Sequence, residues 1–334
     1  MTRAALAAVL LVVVAGCAGT PTAASSAGRS GGSSHASAAS RPFVPRRVTA
    51  STLGWRLPAP SARQALVPDG AATVVLAGGM LPDGTSTDRA VRISLTNGQS
   101  HPLPPLAVPV HDAAGGRYSG KVAVFGGGNA TEQAVVQVLV GRRWQRAGSL
   151  PTTRSDLSVV ATAAGTLVLG GYDGVGTPLA ILRESASSGL HGVGRLAVGV
   201  RYAATALVGS SVYVFGGEVS GHELGQVQRF DVHAGGVARV GRVSVVGRLP
   251  HPLGHAMAAV FGGRVLLIGG RTSADRQTGA MWWYDPATGR FSHAGRLPRP
   301  LSDAAVATVG HSAYLLGGED PSVTGLVVRV TVLK

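Results

Sequence analysis

The chain has 334 residues, of which 49 are glycine, 45% are hydrophobic and 14% are charged. This length can bury a sizeable core, and abundant Gly and Val fit many short strands joined by turns. The net charge is +14, but the arginines are scattered without a long basic run or interleaved aromatics, so we predict no nucleic-acid partner.

The N-terminus has the pattern of an export signal. A short basic start is followed by an apolar stretch over residues 4–15, too short to span a membrane as a helix. Residues 14–17, Val-Ala-Gly-Cys, resemble the bacterial lipobox, and the resemblance implies that Cys17 is diacylated and becomes the mature N-terminus. The alternative is an ordinary signal peptide that contains a cysteine. Cys17 is the only cysteine of the chain, which leaves no partner for a disulfide.

The segment after Cys17 is dominated by Ala, Ser, Gly and Thr, which carry little that could form a core. We interpret residues 1–16 as the signal peptide and residues 17–46 as a flexible tether. The folded domain then covers residues 47–334. This organisation predicts an exported protein, lipid-anchored on the outer face of the bacterial cell membrane through Cys17.

Six Gly-Gly pairs, each at the end of an apolar run, recur at intervals of 44 to 53 residues. Short apolar runs bounded by glycine are typical of buried strands, and a fixed period indicates a repeat fold. We predict that the glycines are structural, because converging strands need close backbone approach and sharp bends. The pairs are Gly78-Gly79, Gly126-Gly127, Gly170-Gly171, Gly216-Gly217, Gly269-Gly270 and Gly317-Gly318.

Two further markers keep the same phase. An aromatic-Asp pair ends another strand at Phe230-Asp231 and Tyr284-Asp285. A Leu-Pro pair, replaced once by Leu196-Ala197, precedes the next strand; its leucines are Leu57, Leu103, Leu150, Leu249 and Leu297. Each unit therefore holds four short strands. Over residues 47–334 the pattern resembles kelch repeats, the type of blade also found in galactose oxidase, and the resemblance implies an all-β, six-bladed kelch-type β-propeller.

The last repeat is one strand short. After the third strand, predicted over residues 326–332, the chain ends. Residues 51–57, which include Trp55, have the pattern of an outer strand and precede the first Leu-Pro pair. We therefore predict that this N-terminal strand completes the last blade and pairs its open edge.

Polar residues recur where each innermost strand begins, and others follow the Gly pairs. Both sets are predicted to surround the central channel on the loop face, where function usually lies. They either bond to neighbouring backbone and to each other, or form a polar site for a hydroxyl-rich or carboxylate-bearing ligand. The first set is Arg63, Asp112, Asp156, Tyr202, His255 and Asp303, together with Arg201, the neighbour of Tyr202. The second set is Tyr172, Asp173, Glu218, Arg271 and Glu319.

The sequence contains no zinc-protease spacing and no nucleophile elbow, so no catalytic residue, metal or cofactor is predicted. The copper-radical chemistry of galactose oxidase needs a cysteine that this chain commits to its anchor. The leading hypothesis is a monomeric, membrane-tethered binding module for a cell-envelope polymer, saccharide or protein partner. The alternative is a carbohydrate-active enzyme at the channel mouth, similar to the kelch-type sialic acid mutarotase. A purely structural role is the third hypothesis.

Overall fold

The structure, a computed structural model, describes residues 47–185, 189–233, 240–273 and 276–333. The predicted signal peptide, the lipidation site Cys17 and the tether lie outside the described residues. In these ranges, no helix is long and apolar enough to cross a membrane.

The regular structure consists of strands, which follow one another from the innermost to the outermost position of each blade. The chain enters through β1 (Arg47–Thr52), which lies beside the last blade. Blade 1 contains β2 (Ala65–Pro68), β3 (Thr73–Ala77), β4 (Ala90–Ser94) and β5 (Ser100–Leu103). Blade 2 contains β6 (Ala114–Tyr118), β7 (Lys121–Phe125), β8 (Val135–Val140) and β9 (Arg143–Ser149). Blade 3 contains β10 (Ser155–Thr162), β11 (Gly165–Tyr172), β12 (Ala180–Ser185) and β13 (Gly189–Arg195).

Blades 4 to 6 add short two-residue strands in their loops. Blade 4 contains β14 (Ala204–Val208), β15 (Ser211–Phe215), the loop strands β16 (Glu218–Val219) and β17 (His222–Glu223), β18 (Gln226–Asp231) and β19 (Ser244–Arg248). The loop strand β20 (Leu253–Gly254) precedes blade 5, which contains β21 (Met257–Phe261), β22 (Arg264–Ile268), the loop strands β23 (Arg271–Thr272) and β24 (Arg276–Gln277), β25 (Ala280–Asp285) and β26 (Arg290–Arg296). Blade 6 contains β27 (Ala305–Val309), β28 (Ser312–Leu316), the loop strands β29 (Glu319–Asp320) and β30 (Ser322–Val323), and β31 (Val327–Leu333).

The blades form a closed ring. Over the described ranges there are six four-stranded antiparallel sheets, and their innermost strands contact each other in the cycle β2, β6, β10, β14, β21, β27 and back to β2. This arrangement is a six-bladed β-propeller, which confirms the predicted all-β propeller architecture.

The hydrophobic core is divided among the interfaces between blades. Each of six clusters takes its side chains from two adjacent blades, as where Val75 of blade 1 meets Val124 and Trp144 of blade 2. The second strand of a blade is covered on both faces, so its sequence is a continuous apolar run and does not alternate; β3 and β22 are buried along nearly their whole length. Propeller stability therefore depends on every interface being filled.

Ring closure uses the N-terminal strand, as predicted, but with shifted bounds. β1 pairs antiparallel with β31, from Arg47 opposite Leu333 to Thr52 opposite Val328. The strand thus begins before the predicted residue 51 and ends at Thr52. Trp55 lies beyond it, where its indole ring packs on Gly98, a site that a Cβ would fill. The aromatic residue belongs to the packing of blade 6 on blade 1 and not to the strand.

The Gly pairs clamp each blade to the segment that leads into the next blade. At all six interfaces the second glycine donates its N–H to one carbonyl of that segment, as from Gly127 to the carbonyl of Arg154 at 2.8 Å. A Cβ on the first glycine would lie within 3.0 Å of the same oxygen, and both glycines have positive φ. Close approach and left-handed backbone together demand glycine, which supports the structural assignment made from the sequence.

The leucine marker of the second repeat needs a correction. Each segment between two blades has one buried leucine whose N–H donates to a carbonyl just before the third strand of the preceding blade. In the segment between blades 1 and 2 this leucine is Leu106, which donates to the carbonyl of Asp88 at 2.8 Å. Leu103 ends strand β5 instead. The Leu-Pro pair at residue 103 was misleading because Leu106 is followed by alanine, as Leu196 is.

Candidate functional site

The six recurring residues predicted from the sequence form one closed ring around the channel. The N–H of each donates to the carbonyl oxygen of the preceding member at 2.8 to 3.1 Å, and Arg63 closes the ring by donating to Asp303. All six have φ between 53° and 57°. In chain order the members are Arg63, Asp112, Asp156, Tyr202, His255 and Asp303.

The left-handed backbone of this ring is unfavourable for residues with a Cβ, by roughly 1 kcal/mol each. Glycine would remove that penalty, and the chain uses glycine freely at other left-handed positions. Six non-glycine residues at equivalent positions indicate that their side chains are used. Strain of this kind is concentrated at functional sites in proteins.

The first side-chain group of the site is centred on Arg63. Its guanidinium donates to Asp112 at 3.2 Å and Tyr202 at 3.1 Å through Nη1, and to Glu319 at 2.8 Å through Nε. The hydroxyl of Tyr202 in turn donates to Asp112 at 3.3 Å. Burial disfavours the charge of Arg63, but the surrounding acidic groups, Asp112 first, outweigh burial and raise its pKa.

The second group is centred on His255, which is almost fully buried. Its Nδ1 lies 2.7 Å from Asp303 and its Nε2 lies 3.5 Å from Glu218. The imidazole stacks on Tyr202 with ring centroids 3.7 Å apart. Burial lowers the pKa of His255, but Asp303 and Glu218 raise it further, to about 9, so that the ring is cationic at neutral pH. Burial has the opposite effect on Asp303 and raises its pKa, but His255 and then Arg63 outweigh burial and bring the pKa to about 2.

Two more arginines connect residues that follow the Gly pairs to the Arg63 and His255 groups. Arg271 donates to Asp303 at 3.1 Å and to Glu319 at 2.6 Å. Arg201 donates to Glu218 at 2.6 Å, and its guanidinium lies over the rings of Tyr172 and Tyr202, 5.2 and 5.1 Å from their centroids.

Glu218 accepts hydrogen bonds from both His255 and Arg201, and these bring its pKa to about 2 against the opposing effect of burial. It therefore stays ionised across the pH range in which proteins are usually studied. Glu218 joins the His255 group to the Arg201 edge of the network.

Asp156 behaves differently from the other acids of the network. Its side chain is 3% exposed, and its closest cation, Arg201, lies 3.6 Å away. Burial first, and then the neighbouring Asp112, raise the pKa of Asp156 to about 8, so that it holds a proton at neutral pH. The network comprises Arg63, Arg201, His255 and Arg271 with the carboxyl groups of Asp112, Asp156, Glu218, Asp303 and Glu319. A proton on Asp156 offsets the excess of carboxyl groups over cations.

The network bounds two spaces of different size. Inside the channel, a cavity of about 140 Å³ is lined by ring members and by small residues such as Ala113 and Ser158. Ligand pockets usually begin at roughly 300 Å³, so this cavity suits a few water molecules. On the loop face, a cleft of about 560 Å³ lies beside the mouth between blades 5 and 6, lined by Arg271, Arg276, Gln277, Pro300, Glu319, Asp320 and Pro321.

Of the twelve residues predicted from the sequence, eleven belong to the network or border it. Tyr172 lies at its edge, under Arg201, and donates its hydroxyl to the carbonyl of Gly174 at 2.8 Å. Asp173 is not joined to it: the carboxylate accepts the N–H groups of Val175 and Gly176, and these bonds lower its pKa. Asp173 shapes its own exposed turn.

Sequence reasoning missed Arg276 and Gln277 of the cleft. Both follow Arg271 in the loop between the second and third strands of blade 5, and no recurring marker distinguishes them. Another arginine near a ring position, Arg154, is only 2% exposed and donates to the carbonyls of Gly170 and Ala180 inside blade 3. It supports the scaffold.

Comparison with known proteins supports the fold. No protein-family model and no curated protein matches the chain. Among solved structures, one titled "Structure of YjhT" matches with a TM-score of 0.70 and 15% sequence identity, covering 84% of this chain and 99% of that one. At this identity the similarity establishes the propeller fold alone.

Proposed function

We propose that this chain is an exported, membrane-tethered binding module whose loop face holds a saccharide or a similar hydroxyl-rich ligand of the cell envelope. The observation that carries the proposal is the 560 Å³ cleft beside the channel mouth. Its volume lies within the roughly 300–1,000 Å³ of small-molecule sites. The export signal and Cys17, predicted from the sequence, support a location at the envelope.

The walls of the cleft favour hydroxyl groups. The exposed Arg276 supplies donors, while Glu319 and Asp320 supply acceptors. A hydroxyl group both donates and accepts, so it can bridge a guanidinium and a carboxylate without leaving either unpaired. The Arg63 and Arg271 contacts hold Glu319 in position from behind, which reduces the ordering needed on binding.

Titration of the purified protein against a panel of envelope glycans tests this proposal. Arg276→Ala removes an exposed guanidinium of the cleft, and Arg146→Ala, on the outer strand of blade 2, is the matched control. We expect the Kd to rise roughly tenfold in Arg276→Ala and to stay unchanged in the control. Absence of saturable binding to every glycan, or equal affinities of both variants, would contradict it.

A second candidate function is favoured by Asp156. A carboxyl group with a pKa near 8 can exchange a proton at neutral pH, as a mutarotase or epimerase of reducing sugars requires. The small cavity around Asp156 is the argument against it, because a sugar would have to displace the side chains of the mouth. Measurement of anomer interconversion by NMR separates the two functions. Faster interconversion that Asp156→Asn abolishes, with binding retained, identifies an enzyme.

The predicted lipid anchor has its own test. Replacing Cys17 with Ala should release the protein into the medium or leave an uncleaved precursor. Normal lipid labelling of that variant would contradict the assignment of Cys17.

A further inference from the structure

An apolar pocket of about 470 Å³, distinct from the cleft and the channel, lies between the segment that leads into blade 1 and the strands of blade 1. Its floor and walls include Leu57, Leu76, Val91 and Leu103, together with four prolines. This volume lies within the roughly 300–1,000 Å³ of small-molecule sites.

An equivalent position elsewhere in the ring shows how the pocket arises. Ser61 corresponds to Leu253, because the carbonyl of each accepts the N–H of the second glycine of the preceding blade. Val91 corresponds to Trp282, because each lies three residues after the carbonyl that accepts the N–H of the buried leucine, Asp88 for Leu106 and Gly279 for Leu297. Where the chain enters blade 5, the matching cavity is lined by Leu253 and Trp282, among others, and measures about 30 Å³.

The larger volume coincides with smaller side chains at three lining positions: Ala59, Ser61 and Val91 stand where the smaller cavity has His251, Leu253 and Trp282. Where Ser61 stands, the other five interfaces have larger side chains, all of them buried: Val110, Arg154, Val200, Leu253 and Leu301. Where Val91 stands, two blades place a glutamine that bonds to the segment entering the blade, as Gln137 does to both backbone groups of Val108. Neither filling is present at the pocket of blade 1, where these positions hold Ser61 and Val91.

The rim of the pocket is polar and carries both charges. Asp88 and Arg89 line its edge and are exposed, and within the part of the chain that the structure describes neither forms an ion pair. An anionic head group would be attracted by Arg89 and repelled by Asp88, and a cationic one the reverse. Hydroxyl groups can accept from Arg89 and donate to Asp88, so they suit both.

From the apolar walls and the mixed rim, we propose that this pocket binds a single-chain amphiphile with an uncharged, hydroxylated head group, the chemical class of an alkyl glycoside. The alkyl chain lies between the segment entering blade 1 and the strands of blade 1, and the head group lies at Asp88 and Arg89. The site is separate from the cleft of the proposed function and does not depend on it.

Binding of octyl glucoside below its micelle concentration to the full-length protein, followed by calorimetry, tests the proposal. Val91→Trp installs the residue that fills the equivalent site of blade 5, and Val245→Trp, an exposed position on the outer strand of blade 4, is the control. We expect a Kd weakened roughly tenfold or more by Val91→Trp, the change for two methylene groups losing burial, and an unchanged Kd for the control. Ser61→Leu fills the pocket from the other side and should have the same effect if Val91→Trp misfolds.

The head-group assignment is tested with decanoate and decyltrimethylammonium in place of the glucoside. Weaker binding of both charged probes, and loss of glucoside affinity in Arg89→Gln, support it. Undiminished glucoside binding by both filled variants, or tighter binding of either charged probe, would overturn it. Arg276→Ala in the cleft should leave glucoside binding intact, which separates failure here from failure of the proposed function.

Discussion

The protonated state of Asp156 predicts that the protein loses stability as pH rises. Asp156 has a folded-state pKa of about 8 against an ordinary value of 3.8, so between these values the folded state binds a proton that the unfolded state does not. The free energy of unfolding therefore falls with rising pH across this window. Asp156→Asn keeps the shape of the side chain and removes its titration.

The size of the effect can be worked out in a window where other groups of the network contribute little. One proton changes the unfolding free energy by about 1.4 kcal/mol per pH unit. His255, with its pKa raised from 6.5 to about 9, adds a slope of the same sign only above about pH 6.5. Glu218 and Asp303, whose folded values are about 2, act below about pH 5. Between about pH 5 and 6.5, Asp156 should thus account for roughly 2 kcal/mol.

Urea unfolding at a series of pH values measures this slope. We expect the unfolding free energy of the Asp156→Asn variant to gain about 2 kcal/mol relative to the wild type between about pH 5 and 6.5. Asp83→Asn, which alters an exposed acid of a turn in blade 1, serves as the control and should follow the wild-type slope. Parallel curves for the Asp156 variant and the wild type would refute the assignment of a proton to Asp156.

Three further predictions concern the ring and its closure. His255→Gln should flatten the decline in unfolding free energy between about pH 6.5 and 9, because the raised pKa of His255 contributes stability that is complete below about 6.5 and lost through 9; an unchanged decline would contradict the Asp303 pairing. Gly126→Ala should lower the unfolding free energy by roughly 2–5 kcal/mol in urea titrations, since the new Cβ meets the Arg154 carbonyl on left-handed backbone, whereas Gly84→Ala, with nothing within 4 Å, should lose only about 1–2 kcal/mol. A chain beginning at residue 53 should melt well below one beginning at residue 47, because β31 loses its partner β1; equal melting temperatures by calorimetry would exclude closure by this strand.

Much of the scaffold could be predicted from the sequence because the same local demands recur in every blade. Each Gly pair meets one carbonyl oxygen on left-handed backbone, and only glycine meets both conditions, so the pairs mark every interface. The positions of Arg63, Asp112 and the other ring members follow from the same period. Where the local signal was ambiguous, as for Leu103 beside Leu106 and for Trp55, the prediction placed the element wrongly by a few residues.

The tertiary structure alone decided which of these residues act together. Arg63 bonds to Glu319, 256 residues away, and His255 bonds to Asp303 of the next blade. Ring closure sets these distances, and burial then sets protonation, so that Asp156 holds a proton while Asp303 does not. The pocket at Ser61 and Val91 depends in the same way on small residues that face each other only once the entering segment packs on blade 1. Local backbone demands can be read residue by residue, whereas pairing, charge and cavity volume depend on how distant side chains share one space.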